Sequence, residues 1–303
     1  MIAALFPGQG AQYPGLLHDV AREIGSTELF DRASEILGLD VLASDDALAL
    51  ERTEIVQRNT FLASVATANA LRAGDVRIDV VAGHSIGVFA AAVCAAVVTF
   101  ADGLRLVDLR GRLMAERFSV GYAMGAIVGF DEPTVETLIA PYGQVYVSGV
   151  NERDQVTIVG ESANVLDAIE RARALGARTA KLLPVTVPSH SPFMAPVRDA
   201  LAAAIERIEL GAPRMPYAAN SDGRVKIHPS DIAADLVASV SLPVRWFDAT
   251  QMLVERGVTS FIEASPGDAL TRLIIASHPS VAARSVDRLG IERATEWARS
   301  RYG

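Results

Sequence analysis

The chain has little cysteine, few aromatics and no excess of positive charge. A single cysteine in 303 residues leaves no internal disulfide to form. Cys94, inside an alanine-rich run, reads as a small core residue. Aromatics make up 6% of the residues and the net charge is −8, so the footprint of a nucleic-acid binder, a basic field interleaved with stacking rings, is missing. No uncharged apolar run reaches the roughly 18 residues of a membrane span. Residues 88–98 come nearest and read as a buried helix. Ala3-Ala4-Leu5-Phe6 is too short for a signal peptide and no basic residue precedes it. The expected location is the cytoplasm, with neither a nucleic-acid nor a membrane partner. Paired cysteines and a His-x-x-x-His helix face are also absent, so no metal site is expected.

What remains is a large globular core. Half the residues are hydrophobic and 21% are charged, enough to fill one large core, or one core and a smaller satellite. The most informative stretch is Val80-Val81-Ala82-Gly83-His84-Ser85-Ile86-Gly87. An apolar run leads into Gly-x-Ser-x-Gly, and small helix formers follow. That is the pattern of a nucleophile elbow, in which a strand, a sharp turn and a helix present a serine hydroxyl at the helix N-terminus. The free N–H groups and dipole there favour developing negative charge, as acyl transfer through an acyl-serine requires.

Strand and helix patterns alternate along the chain. Ile2 to Phe6 reads as a buried strand, and helical patterns follow it through Leu37. Residues 54–71 and 101–118 read as helices, with the elbow strand at 79–82 between them. This order predicts a mainly parallel sheet with helices on both faces. The middle of the chain changes character. Residues 123–129, 145–150, 155–159 and 179–183 are strand-like, and 132–140 and 163–175 are helical. The order β-α-β-β-α-β is the split unit of a ferredoxin-like fold. The expected architecture is an α/β-hydrolase-like parallel-sheet domain, residues 1–121 and 190–303, carrying an inserted ferredoxin-like small domain at 122–189.

A serine nucleophile needs a base, and five histidines are available. His18 lies in an early helix pattern. His228 and His278 sit beside prolines in polar stretches. His84 precedes the serine and is expected to point away from it. His190, in Val187-Pro188-Ser189-His190-Ser191-Pro192, rides a proline-stiffened loop where the small unit returns to the main body, a place from which a base can meet the serine. A satisfied core or surface histidine remains the alternative. Gly8-Gln9-Gly10-Ala11-Gln12 lacks the third glycine of a dinucleotide loop. It reads instead as a loop whose backbone amide, with that of Ile86, approaches an oxyanion, or as a plain turn. Arg105, Arg110, Arg112 and Arg117 share one helix pattern. Arg110 alone is bracketed by Leu106, Leu109 and Met114, on the apolar face. A buried arginine there would take a carboxylate.

Together, Phe6-Pro7-Gly8-Gln9-Gly10-Ala11-Gln12, Gly83-His84-Ser85-Ile86-Gly87, Leu109-Arg110-Gly111, Asn151, Val187-Pro188-Ser189-His190 and Pro243-Val244-Arg245-Trp246 resemble malonyl-CoA:acyl carrier protein transacylases over almost the whole chain. The resemblance implies Ser85 as nucleophile, His190 as base and Arg110 as the clamp on a malonyl carboxylate. It implies the Gln9 and Ile86 amides as oxyanion hole, Asn151 in the wall of the cleft, and a backbone carbonyl at Ser239 orienting the histidine. Many members carry glutamine at the position of Ser239. No cofactor would be bound permanently. Malonyl-CoA would be the substrate and an acyl carrier protein, through its CoA-type arm, the partner and acceptor.

Val88-Phe89 after the elbow, Arg58-Asn59 after Gln57, and the stretches Gly121-Tyr122-Ala123-Met124, Met215-Pro216-Tyr217 and Val244-Arg245-Trp246-Phe247-Asp248-Ala249-Thr250 look most like the epsilon subunit of biotin-independent malonate decarboxylase. The expected acceptor is then the carrier subunit of that complex. The alternative is a transacylase of fatty-acid or polyketide synthesis. A serine hydrolase or thioesterase would share the elbow without needing Arg110, and an inactive carrier-binding subunit would share the fold.

Overall fold

The structure, a computed structural model, describes residues 1–118 and 120–302. Its strands are β1 (Ile2–Phe6), β2 (Val80–Gly83), β3 (Tyr122–Val128), β4 (Val145–Glu152), β5 (Gln155–Glu161), β6 (Thr179–Leu183), β7 (Tyr217–Ala218), β8 (Val225–Lys226), β9 (Ser260–Glu263) and β10 (Ala282–Ser285). They form two sheets. The first runs β10-β9-β1-β2-β7-β8, parallel from β10 to β7 with β8 as an antiparallel edge. Ile2, Ala4 and Phe6 pack into one apolar cluster while Ala3 and Leu5 pack into another. β1 is therefore buried on both faces, as a central parallel strand must be. The second sheet runs β4-β5-β3-β6, antiparallel throughout, and its helices Glu132–Ile139 and Ser162–Ala174 pack on a core of their own.

Most elements lie within two residues of their expected bounds. The helix after the elbow is shorter, Gly87–Cys94 rather than 88–98. Ala96 takes a left-handed conformation at φ 63° and turns the chain, while Val97 and Val98 stay buried as an irregular segment. β7 and β10 have no clear sequence signal, and β9, which carries Phe261 and Ile262, lies outside the expected elements. β7 is two residues long, and β10 reads Ala-Ala-Arg-Ser, without a β-branched or aromatic residue. Pairing with already formed neighbours makes them strands.

The two sheets are tied together at Val244. Its N–H donates to the Ser148 carbonyl at 3.0 Å and its own carbonyl accepts from Val150 N–H at 2.8 Å, so it pairs in parallel beside Gly149 of β4. One residue on, Arg245 N–H donates to the Asn220 carbonyl at 2.8 Å in the loop after β7. The Arg245 guanidinium bonds Glu132 at 2.6 Å and Asp248 at 3.2 Å. Among the described residues no helix is long and apolar enough to cross a membrane.

Candidate active site

β1 and β2 end level with each other, Phe6 beside Gly83, and the chain leaves β2 into the elbow. Ser85 sits there at φ 54°, a left-handed conformation uncommon outside glycine. The elbow glycines are steric necessities. A Cβ on Gly83 would lie 2.3 Å from the Val88 nitrogen, and one on Gly87 would lie 2.1 Å from the Phe6 carbonyl oxygen. Helix Gly87–Cys94 thus starts hard against the ends of β1 and β2, and Ser85 faces its N-terminus.

Ser85 Oγ lies 2.8 Å from His190 Nε2. The other ring nitrogen, Nδ1, is 2.7 Å from the Ser239 carbonyl oxygen. It donates to that carbonyl, which leaves Nε2 as the acceptor facing the serine. His190 N–H donates to the Val240 carbonyl at 2.9 Å, and the residue itself is left-handed at φ 62°. Among the described residues no carboxylate stands behind the imidazole. The Ser239 side chain turns away, its hydroxyl donating to the Leu236 carbonyl at 3.0 Å. Burial, then the nearby positive charge of Arg110 and the His84 ring, push the His190 pKa down to about 3 despite the backbone carbonyl. The ring is neutral at ordinary pH and free to accept a proton.

Arg110 is 2% exposed and carries no carboxylate partner among the described residues. Nη1 donates to Gln57 Oε1 at 2.5 Å, Nη2 reaches Ser85 Oγ at 3.5 Å, and Nε has no partner. Burial alone lowers its pKa to about 9. Thr99 caps its helix, Phe100–Arg117, by accepting from Asp102 N–H. Gly111 lets that helix touch Thr53–Ala73, since a Cβ there would lie 2.6 Å from Glu54 Cα. The close crossing sets Arg110 against Gln57. Arg105 and Arg112 instead bond Asp102 and Asp108 on the exposed face. A buried, uncompensated guanidinium beside a serine hydroxyl is a site built for an anion.

Ser85 and His190 open into a cavity of about 140 Å³ whose far wall is the second sheet, through Met124, Ser148, Asn151 and Thr157. Gly8, Gln9, His84 and Asn151 also line a wider outer cleft of about 500 Å³. The pair therefore sits at the inner end of a slot between the two sheets. Asn151 reaches the slot from a register shift in β4, and its Oδ1 lies 3.0 Å from His84 Nε2. His84 does not point away from the site as expected. It packs edge-on to Trp246, with ring centroids 5.6 Å apart, and forms part of the cleft wall. Neither the Gln9 nor the Ile86 amide has a hydrogen-bond acceptor among the described residues. His18 bonds Asp45, His278 bonds Thr250, and His228 lies at the start of helix Pro229–Ala238. Cys94 is buried and its thiol is pushed up to about 11, so it is inert. Among the described residues no metal-binding group forms.

Two site residues escape sequence reasoning. Gln57 is noticed only as the lead into Arg58, and Asn220 not at all. Asn220 Oδ1 accepts the Ser85 amide at 2.9 Å. Its only sequence signal is the turn-forming run Asn220-Ser221-Asp222-Gly223.

The acyl transferase domain family matches residues 5–292. A malonyl CoA-acyl carrier protein transacylase of Escherichia coli (strain K12) is 37% identical over 281 residues, covering 89% of this chain and 91% of the relative. The structure of a malonyl CoA-acyl carrier protein transacylase from Coxiella burnetii superposes with a TM-score of 0.92 at 32% identity, over 98% of this chain and 96% of that one. A malonyl-transacylase in complex with a type II PKS acyl-carrier protein superposes with a TM-score of 0.88 at 34% identity, over 94% and 95%. The chain belongs to the acyl transferase domain family and, within it, to the malonyl-CoA:acyl carrier protein transacylases.

Proposed function

We propose that the protein moves a malonyl group from malonyl-CoA, through an ester on Ser85, to the thiol of an acyl carrier protein of fatty-acid or polyketide synthesis. The observation that carries this reading is Arg110, a buried guanidinium 3.5 Å from the Ser85 hydroxyl with no carboxylate partner among the described residues. A hydrolase of neutral esters gains nothing from that charge. A substrate bearing a free carboxylate next to its thioester supplies the missing partner.

In this mechanism His190 Nε2 takes the Ser85 proton as Oγ attacks the thioester carbonyl carbon. The Gln9 and Ile86 amides receive the developing oxyanion, one such donor being worth about 3 kcal/mol of transition-state stabilisation. The C–S bond breaks, and the CoA sulfur leaves with the proton from His190. The carrier thiol then enters the same slot, gives its proton to His190 and attacks the ester, and Ser85 recovers its proton. Ser239 orients the ring through its carbonyl. His84 and Asn151 form the wall against which the arm lies. A malonyl carboxylate paired with Arg110 also weakens the field that depresses His190, so the substrate strengthens its own base.

The malonate decarboxylase acceptor is set aside. The relatives above are named for acyl carrier protein. Of the residues that suggested the decarboxylase, Val88, Phe89, Arg58, Asn59, Tyr217, Trp246, Ala249 and Thr250 are buried, whereas Gly121 and Asp248 are exposed. We further propose that residues 122–189 act as a unit inserted between 1–121 and 190–303, and that the likeness to an α/β-hydrolase is limited to the strand–elbow–helix. Arg117 and Lys181 are exposed and suit an acidic carrier, whereas Arg178 is engaged with Asp154 at 3.2 Å.

A competition assay tests the acceptor. Offered equal amounts of a fatty-acid carrier with phosphopantetheine and a malonate decarboxylase carrier with its own arm, the protein should malonylate the first with the higher kcat/KM. The opposite preference would restore the decarboxylase reading.

A further inference from the structure

Ser85 is held in its left-handed conformation from outside the elbow. Its N–H donates to Asn220 Oδ1 at 2.9 Å, so that amide is unavailable to an oxyanion. Asn220 is 2% exposed. It comes to the elbow because β7 pairs with β2, Ala218 beside Ala82, and both chains run on past the sheet edge together. Its own position is fixed twice. Its carbonyl accepts from Arg245 N–H at 2.8 Å, and its N–H donates to Asp235 Oδ2 at 3.0 Å. Asp235, 3% exposed, also receives the Tyr217 hydroxyl at 2.6 Å and the Ser221 amide at 2.9 Å.

Asp235 lies on helix Pro229–Ala238, and Ser239 directly follows that helix, its N–H donating to the Asp235 carbonyl at 2.8 Å. The Ser239 carbonyl is the acceptor for His190 Nδ1. One short helix therefore holds both halves of the reacting pair, the imidazole through its C-terminal carbonyl and the serine backbone through the side chains of Asp235 and Asn220. The Asn220 Nδ2 has no hydrogen-bond partner among the described residues.

We propose that Asn220 is a positioning residue for the transfer reaction: it locks the Ser85 backbone in the left-handed turn and, through Asp235, fixes the serine to the same helix that orients His190. The proposal rests on Ser85 and His190 being the reacting pair. Asn220 touches neither substrate nor the reacting atoms, so its effect falls on the rate of acylation and not on binding. A misplacement of the nucleophile by a fraction of an ångström to about 1 Å can cost on the order of 10²-fold.

The test is single-turnover acylation by malonyl-CoA, with Asn220→Ala, Asn220→Asp and Ser85→Ala compared across pH. Asn220→Ala should acylate about 10- to 100-fold more slowly, with the malonyl-CoA concentration for half-maximal rate unchanged. Asn220→Asp keeps an acceptor for the Ser85 amide and should recover most of the rate. Its added carboxylate bonds the backbone of Ser85, whose hydroxyl contacts His190, so it should move the acid limb of the profile to higher pH. Asn220→Ala at the wild-type rate would overturn the proposal. So would Asn220→Asp slowed about 10- to 100-fold against wild type with an unmoved profile, and this variant decides the matter if the alanine variant does not fold. Acylation of the protein by Ser85→Ala would instead show that the reacting pair is misassigned.

Discussion

Arg110 Nη2 stands 3.5 Å from Ser85 Oγ, and the same guanidinium is steadied by Gln57 Oε1 through Nη1 at 2.5 Å. The cation thus lies beside the hydroxyl that, in the proposed mechanism, carries the acyl group. Among the described residues it has no carboxylate partner, and in the proposed mechanism this makes it a selectivity device: an acyl group without a carboxylate leaves it buried and unpaired.

Arg110→Ala should therefore change which acyl group is transferred. Malonyl-CoA turnover should fall by about 10² or more, the cost of losing a buried charge-assisted pair. Acetyl-CoA turnover should rise relative to wild type, because the unpaired charge that rejected it is gone. Steady-state kcat/KM for both substrates measures this, and equal losses on both would make Arg110 a structural residue.

Gln57→Leu keeps the volume of the side chain but frees the guanidinium from its acceptor. The malonyl-CoA KM should rise while the small acetyl-CoA rate changes little. An unchanged KM would mean that packing alone places Arg110.

The pH profile follows from the buried, neutral His190. Its pKa is depressed to about 3, first by burial and then by Arg110 and His84. The base is active when unprotonated, so acylation should stay level from neutral pH down past 6 and fall only as acid approaches that low value. An ordinary imidazole limb at about 6.5 would contradict it. In Arg110→Ala one of the depressing charges is absent, and the limb should move to higher pH.

Ser239→Ala should transfer malonyl at close to the wild-type rate. The contact to His190 comes from the carbonyl, and the hydroxyl bonds Leu236 instead. A loss in stability of about 1 kcal/mol is the expected cost of that buried hydrogen bond, read by urea unfolding.

How much of this was legible depends on distance along the chain. The elbow is local, a strand, two sterically required glycines and a helix within residues 80–94, and it stands out in the sequence. The second sheet is legible because each of its elements has an ordinary period and an ordinary stop, as with Gly176 after helix Ser162–Ala174. Arg110 shows itself through its apolar neighbours on one helix face. Asn220 does not, since its bond to Ser85 spans 135 residues and an amide in a polar turn looks the same whether it faces water or the elbow. Gln57 fails for a similar reason: in a helix buried nearly all round, its polar face cannot be told from its apolar one by periodicity. β10, Ala-Ala-Arg-Ser, is a strand through its pairing with β9, which no local pattern announces.

Mass spectrometry of the protein mixed with malonyl-CoA alone, then with a phosphopantetheine-bearing acyl carrier protein, puts the mechanism to its most direct test. One malonyl group should appear on the peptide carrying Ser85, persist while no acceptor is present, and pass to the carrier thiol when the carrier is added. Release of free malonate without transfer, or malonyl on any residue other than Ser85, would contradict it.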